Sequence, residues 1–267
     1  MYDFEGQDHG ARLPRPPLAL TLLEGARFAV EYPSSVALDL VVRGGDSGGR
    51  RPVLVLPGFS ANDLLTHRLR AHLTKLGYAA HGWGLGRNHG LTDHVVDGLP
   101  TLLDELYERH GQPVALVGWS FGGLLARWLA HERPEAVSRV VCMGSPWRPE
   151  GEVTRTTPLF ERARERHGLS PRAREIIDTL RGPLPVPATA IYSRTDGILN
   201  WRACLLDDGP GCENIEVPSS HVGLASNPLA LAVLADRLAT DPERPEPFKW
   251  SRALWRFTMG APAGAQR

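Results

Sequence analysis

The sequence has little cysteine: Cys142, Cys204 and Cys212 are the only three in 267 residues. They do not have the spacing of a zinc or iron–sulfur site, and we expect neither a metal nor an organic cofactor. Cys142 lies in an apolar run and is interpreted as a small buried residue. Cys204 and Cys212 are close together in one loop, and a disulfide between them stays open for the case that the protein is exported.

The sequence also lacks an excess of charge of either sign, because 30 Lys and Arg residues balance 30 Asp and Glu residues. It has no basic run interleaved with aromatic residues, so we do not expect nucleic-acid binding. Residues 1–15 are polar and mixed in charge, without the basic start and apolar stretch of a secretory signal. Cytoplasm is therefore the default location, with export of a trimmed mature form left open.

Long apolar runs are absent as well, and the run within residues 17–32 is too short to span a bilayer. Its pattern predicts an amphipathic helix that starts at a proline. We interpret it as a helix packed on the domain or beside its pocket. The alternative is a weak membrane-surface contact, which two acidic residues against one arginine on the polar positions count against.

What the chain does contain is an apolar strand that leads into a G-x-S-x-G turn and then a helix. The strand is predicted at 114–117, and residues 118–122 read Gly-Trp-Ser-Phe-Gly. The two glycines let strand and helix approach closely and hold the serine hydroxyl exposed on a strained turn. The motif therefore predicts a nucleophile at Ser120. The alternative is an ordinary serine in a glycine-rich connection.

A serine nucleophile needs a histidine base and a carboxylate that orients it, in the chain order Ser, Asp, His. Asp196 follows the predicted strand at 188–193, and His221 follows the one at 214–218. Alone, Asp196 also fits a plain turn and His221 a structural histidine. Their joint position at the carboxyl ends of strands favours a catalytic triad. The carboxylates at 207–208 are weaker candidates, since their connection is rich in glycine and proline.

An oxyanion hole requires two backbone N–H donors aimed at the negative oxygen of a tetrahedral intermediate. One donor is expected from Phe121, the residue after the nucleophile. The other is expected from the turn after an earlier central strand. The continuous apolar run at 51–56 predicts that strand, and we assign the second donor to Phe59 in the turn that follows.

The length suggests one domain over residues 1–267 with a single large core. We expect the core at 50–146 and 186–240. A short helical cap is expected at 147–185, where prolines interrupt the alternation of strands and helices. The remaining stretch, 241–267, receives no role.

The substrate pocket is expected between the nucleophile turn, the cap and a glycine-rich loop at 83–90. Its candidate residues are Trp119, Trp147, Leu159, Phe160 and Asn88. For Asn88, hydrogen bonding within its own loop is the preferred interpretation and a substrate contact is the alternative.

With these pieces in place, the chain resembles the α/β-hydrolase fold family, and within it the bacterial lipases and esterases. The resemblance covers roughly residues 50–240. The matching segments are Leu56-Pro57-Gly58-Phe59, Gly118-Trp119-Ser120-Phe121-Gly122-Gly123, Met143-Gly144-Ser145-Pro146, Ile191-Tyr192-Ser193-Arg194-Thr195-Asp196 and Ser220-His221-Val222-Gly223. Such lipases commonly carry a histidine before the serine, where this chain has Trp119. We expect that change to alter the shape of the pocket more than the chemistry.

The resemblance implies an α/β fold with a doubly wound, mostly parallel sheet and helices on both faces. It also implies cleavage of carboxylic esters, of a small-molecule or lipid substrate, through an acyl-enzyme. It does not fix the substrate. A thioesterase or amidase on the same triad, or a non-catalytic lipid-binding or scaffold protein on this fold, are the alternatives.

Overall fold

The structure is a computed structural model that describes residues 13–42, 49–146, 157–207, 209, 211–244 and 246–259. Its centre is a sheet of six strands, all parallel. They are β1 (Pro52–Leu56), β2 (Ala79–Gly82), β3 (Val114–Trp119), β4 (Val137–Met143), β5 (Ala188–Tyr192) and β6 (Cys212–Glu216). Across the sheet their order is β2-β1-β3-β4-β5-β6.

This order determines where a site can form. The chain builds outward from β1 in one direction to β2 and then returns to add β3 on the other side. The loops after β1 and β3 therefore diverge, and they leave a crevice at the carboxyl ends of these two neighbouring strands. The predicted nucleophile follows β3 and the predicted oxyanion donor Phe59 follows β1, so both lie at this crevice.

Helices cover the sheet on both faces. The described residues contain α1 (Leu18–Val41), α2 (His67–Lys75), α3 (Asp93–His110), α4 (Phe121–Glu132), α5 (Thr157–His167), α6 (Ala173–Thr179), α7 (Pro228–Ala239) and α8 (Trp250–Met259). Successive side chains of β1 point to opposite faces, as in any strand. Leu54 and Leu56 join a core with α3, α4 and α6, whereas Val53 and Val55 join a core with α2 and α7. The predicted doubly wound α/β fold is thereby confirmed.

Helix α1 is longer than the helix predicted at 17–32, because it continues past Pro33 to Val41. Its C-terminal part is attached to α2: Asp39 accepts from Arg68 at 2.8 Å and contacts His72 Nδ1 at 2.9 Å. Polar side chains of α1 such as Glu24 and Ser35 are buried against the protein, while Leu22 and Val30 are 74% and 67% exposed. None of the helices in the described part of the chain is both long and apolar enough to cross a membrane.

Part of the C-terminal stretch, to which the sequence assigns no role, forms helix α8, which docks on the domain. Asp236 of α7 is fully buried and contacts three arginines. Arg252 and Arg256 of α8 reach it at 2.9 Å and 3.1 Å, and Arg237 of α7 completes the cluster. Because a buried carboxylate without counter-charges is costly, this cluster ties α8 to α7.

The three cysteines are free thiols in this structure, so no disulfide joins Cys204 to Cys212. Cys142 is buried in β4, and burial raises the pKa of its thiol to about 11. It therefore has the properties of a small apolar side chain.

Candidate active site

Ser120 occupies a sharp turn between β3 and α4. Its backbone has φ 53° and ψ −124°, a conformation that non-glycine residues adopt only under strain. Its N–H donates to the carbonyl of Met143 at 2.9 Å, which fixes the turn to the neighbouring strand. Two residues later, a Cβ on Gly122 would overlap the backbone carbonyl of Leu56 in β1. Glycine at that position is therefore required for α4 to start so close to the sheet.

The structure brings Ser120, His221 and Asp196 into one hydrogen-bonded chain. His221 Nε2 lies 3.0 Å from Ser120 Oγ, and His221 Nδ1 lies 2.6 Å from Asp196 Oδ2. The other carboxylate oxygen of Asp196 accepts from the backbone N–H groups of Ile198 and Leu199, both at 2.8 Å. An acceptor at Nδ1 fixes the proton on that nitrogen, which leaves Nε2 free to accept the serine proton.

The electrostatics of His221 result from opposing effects. Burial by itself lowers its pKa, because desolvation disfavours the charged imidazolium. The Asp196 carboxylate raises it through charge and hydrogen bonding, and the Glu24 carboxylate raises it further. The net result is a pKa above the ordinary histidine value. The site is therefore built to stabilise a protonated His221, the species that forms when it takes a proton from serine.

The loop after β1 passes directly against the nucleophile. A Cβ placed on Gly58 would lie 3.1 Å from the Cβ of Ser120. Within the described residues, the N–H groups of Phe59 and Phe121 donate to no protein acceptor. Their rings pack edge to face with centroids 6.1 Å apart. An oxyanion hole requires two such N–H donors, and these two belong to the loop beside the nucleophile and to the residue directly after it.

Asn88 lies behind this loop, fully buried. Its side-chain N–H donates to the carbonyl of Pro57 at 2.8 Å, and its backbone carbonyl accepts from the Ser60 N–H at 2.7 Å. Its side-chain oxygen accepts from the N–H of Gly90. These hydrogen bonds to Pro57 and Ser60 fix the conformation of the turn that contains Phe59.

The other pocket candidates lie in different places. Trp119 is buried at the end of β3, and its indole donates to the carbonyl of His221 at 3.0 Å. Phe160 of α5 packs on Phe59 and Phe121, with ring centroids 4.9 Å and 5.8 Å away. Leu159 is 48% exposed beside it. Trp147 lies outside the described residues.

A small apolar cavity lies between α4 and the cap helix α6. Leu91, Phe121, Leu124, Ile176 and Leu180 are among its lining residues. Phe121, one of these lining residues, directly follows Ser120 in the chain. Within the described residues, no group of three or more His, Cys, Asp or Glu side chains is arranged to hold a metal ion.

Two acidic residues of α1 belong to the site although the sequence does not point to them. Glu24 accepts hydrogen bonds from the N–H groups of Gly197 and His221. Glu31 accepts from the N–H and the hydroxyl of Ser220. Gly197 is 173 residues from Glu24 in the sequence, and no local motif signals such a contact. The only available signal is their helical spacing on one face of α1.

The chain is similar in sequence to known hydrolases. Residues 51–169 match the model of a family described as the α/β-hydrolase fold. Lipase LipV of Mycobacterium tuberculosis is 36% identical over 105 residues, which are 39% of this chain and 40% of that lipase. The match therefore spans less than half the length of this relative.

The chain is also similar in structure to solved lipases. Aspergillus fumigatus lipase B superposes with a TM-score of 0.60 at 21% identity, over 83% of this chain and 62% of that one. The mature form of Bacillus licheniformis lipase BlEst2 gives a TM-score of 0.53 at 16% identity, over 71% of this chain and 92% of that one. At such identities the likeness concerns the fold. Together with the order of the parallel strands, it shows that this chain has the fold of these lipases, while the family model matches residues 51–169, which are less than half of the chain.

Proposed function

We propose that this protein is a serine hydrolase that cleaves carboxylic esters. The observation that carries the proposal is the unbroken hydrogen-bond chain from Asp196 through His221 to the hydroxyl of Ser120, with that serine on a strained turn. A serine with only a structural role requires neither a strained backbone nor a histidine nitrogen within hydrogen-bond distance of its hydroxyl. The sequence similarity to a lipase over 105 residues supports the same reaction class.

The proposed reaction starts when Ser120 Oγ attacks the ester carbonyl carbon and His221 Nε2 takes the serine proton. The negative oxygen of the tetrahedral intermediate accepts hydrogen bonds from the Phe59 and Phe121 N–H groups. His221 then gives its proton to the leaving alkoxide, and the alcohol departs from an acyl-enzyme. Water, deprotonated by His221, attacks the acyl carbon, and the carboxylic acid leaves as Ser120 regains its proton.

We propose that the acyl group binds against the apolar side chains around Phe121, which include the lining of the small cavity between α4 and α6. The cavity's described lining is aliphatic and aromatic, which suits a hydrocarbon chain rather than a charged group. Cap helix α5 contributes Phe160 against the rings of Phe59 and Phe121, so the cap forms part of the wall of the proposed site. A cap at residues 147–185 would thus help to select the acyl chain.

The first experiment compares the wild type with Ser120→Ala on p-nitrophenyl butyrate. We expect kcat to fall by about three orders of magnitude or more, since the nucleophile is lost, while the circular dichroism spectrum stays unchanged. Ser226→Ala is the matched control, because Ser226 is a buried serine bonded to Gly223 and outside the proposed chemistry. Full activity in the Ser120→Ala variant would refute the proposal.

A fluorophosphonate probe tests the activation of the serine independently of substrate choice. We expect stoichiometric labelling of the wild type and none of Ser120→Ala, because an unactivated serine does not react with the probe. A wild type that takes up no probe would favour the non-catalytic lipid-binding or scaffold alternative. Rates on acetyl to palmitoyl esters, and on matched thioesters and amides, then separate esterase from thioesterase and amidase.

A further inference from the structure

We propose that Glu24 of α1 is a positioning residue of this active site. Its carboxylate bonds both the loop that carries Asp196 and the loop that carries His221, and so holds the His221 imidazole at hydrogen-bond distance from Ser120. The proposal rests on the serine-hydrolase function above and adds a residue to it. It assigns to the N-terminal helix a direct part in the geometry of catalysis.

The contacts of Glu24 are specific to the two loops. Its Oε1 accepts from the N–H of Gly197 and from the N–H of His221, both at 2.9 Å. Its Oε2 accepts from the N–H of Val222 at 3.0 Å. Gly197 directly follows Asp196. One carboxylate therefore bonds the main chain beside the acid and the main chain of the base itself.

Glu24 is buried, with 5% of its surface exposed, and its hydrogen-bond partners in the described structure are backbone N–H groups. Backbone N–H groups therefore donate to both oxygens of this carboxylate. Hydrogen bonds from N–H groups to an ionised acceptor are stronger than those between neutral groups. This gives a reason for an acidic residue at this position rather than a serine or an asparagine.

Neighbouring residues on the same face of α1 show that the attachment is continuous. Thr21 donates to the carbonyl of Gly197 at 2.6 Å, and Arg27 donates to the carbonyl of Thr195 at 2.6 Å. Glu31 holds Ser220. These side chains recur every three or four residues, as one face of a helix requires. The acid and base loops are thus held by α1 at several points, and among these described contacts Glu24 is the one that reaches both loops.

The two loops also contact each other without α1. Ser193 Oγ donates to the carbonyl of Ser219 at 2.7 Å and accepts from the Ser219 N–H at 3.1 Å. The strands that lead into the loops, β5 and β6, pair along their whole length. Loss of the Glu24 charge should therefore leave the loops folded and change the placement and the electrostatics of His221.

The charge of Glu24 has a further consequence for His221. Asp196 from the loop after β5 and Glu24 from α1 are the acidic groups that raise the pKa of its imidazole, against the lowering effect of burial. Glu31 and Arg27 are the other charged groups of α1 at these loops, where they bind Ser220 and Thr195. Because the imidazolium forms as His221 takes the serine proton, a second negative charge stabilises the transition state.

The test uses Glu24→Gln and Glu24→Asp in the full chain, with Asp39→Asn as the matched control. Asp39 is another acidic residue of α1, but it binds Arg68 and His72 on α2, away from both loops. Each variant is assayed for kcat, KM, the pH profile of kcat/KM and thermal stability. The pKa of His221 is measured separately by NMR titration of the resting protein, which needs no turnover.

We expect Glu24→Gln to lower kcat about tenfold, with KM within about twofold of wild type, because the lost charge and bond act on the transition state. The acidic limb of its pH profile and the His221 titration should both move to lower pH. For Glu24→Asp, the acidic limb of the pH profile should lie at the same pH as in the wild type, since the negative charge is kept. Asp39→Asn should lower the melting temperature and leave kcat and the limb unchanged.

A Glu24→Gln variant with wild-type kcat and an unmoved His221 titration would overturn the proposal. If Glu24→Gln does not fold, Glu24→Asp decides: a lowered kcat with the limb at the wild-type pH supports positioning, and a wild-type kcat contradicts it. A wild-type protein that cleaves no ester and takes up no fluorophosphonate would instead refute the serine-hydrolase function. The NMR titration would then still report whether Glu24 acts on His221.

Discussion

The indole N–H of Trp119 donates a hydrogen bond to the backbone carbonyl of His221 at 3.0 Å. The residue that precedes the nucleophile in the sequence therefore holds the main chain of the base. Glu24 accepts from the N–H of the same histidine. Both polar groups of the His221 main chain are thus bonded, one to β3 and one to α1, and its imidazole is held at 3.0 Å from Ser120 Oγ.

This contact predicts the effect of Trp119→Phe. The variant keeps an aromatic ring, smaller than the indole, but leaves the buried His221 carbonyl without its donor, at a cost of about 1 kcal/mol or more. We expect kcat to fall about fivefold with little change in KM, because the His221 imidazole is no longer held at hydrogen-bond distance from the serine hydroxyl. Steady-state kinetics on p-nitrophenyl butyrate give the measurement.

Trp83→Phe is the control for Trp119→Phe. Trp83 is also buried, and its indole donates to the carbonyl of Gly86 at 2.9 Å, outside the His221 loop. It should lose a comparable amount of stability and retain most of its kcat. Equal losses of kcat in the two variants would show that the Trp119 contact acts on overall stability only.

The core elements were predictable because their signals are local. Within the strand predicted at 51–56, all residues from 52 onward are apolar, and the structure buries β1 (Pro52–Leu56) along its whole length in a sheet covered on both faces. Helix α7 (Pro228–Ala239) begins at a proline, which is a sequence signal for the first position of a helix. Turn residues at the carboxyl ends of such strands are close in space, so the order Ser, Asp, His could be interpreted without a structure.

The part of the site that the sequence does not reveal depends on distant contacts. On sequence alone, Glu24 and Glu31 are the two acidic residues on the polar positions of an amphipathic helix. The structure turns them inward, where they replace water as acceptors for loop N–H groups, and leaves Leu22 exposed on the outside. The acidic residues that count against a membrane contact are therefore not on the outer face of α1. No periodicity distinguishes these two orientations of the same helix.

The strained backbone of Ser120 predicts a gain in stability when its side chain is removed. A residue with a Cβ at φ 53° carries strain of about 1–2 kcal/mol, which glycine does not. Glycine also gains entropy in the unfolded state, which offsets about 0.5–1 kcal/mol of that. We therefore expect Ser120→Gly to melt one to a few degrees above Ser120→Ala, by about 2–4 °C per kcal/mol.

Ser120→Ala is the proper reference for this comparison, because both variants lose the hydroxyl and its contact with His221. Differential scanning calorimetry of the two proteins, both inactive, isolates the contribution of the Cβ. A Ser120→Gly protein that melts below Ser120→Ala would mean that the turn is not strained.

Close packing of α4 against the next strand predicts a pair of compensating substitutions. A Cβ on Gly123 would overlap the side chain of Ser145, which follows β4. Gly123→Ala should therefore destabilise the fold by about 1–3 kcal/mol, as overpacking of a core does. Ser145→Gly removes the obstructing atoms and should restore part of that loss in the double variant. The free energy of unfolding from urea titrations gives the coupling, and strictly additive effects would contradict the overlap.

The raised pKa of His221 predicts opposite effects of pH on activity and on stability. Only neutral His221 can accept the serine proton, so kcat/KM should fall as pH drops through its pKa, which burial lowers but Asp196 and Glu24 raise more. A pKa that is higher in the folded state means that protonation favours folding. This stabilisation is complete below the unfolded-state pKa and is lost as pH rises through the folded-state pKa.

As pH rises through the folded-state pKa of His221, activity should therefore rise while the contribution of His221 to stability declines. Asp196→Asn removes the charge that raises the pKa most, so both changes should move to lower pH, with kcat reduced by about three to four orders of magnitude. Rates and urea midpoints measured on one set of buffers test the pair. If activity and stability both increased with pH through this window, with a limb that Asp196→Asn does not move, a group other than His221 would control the reaction.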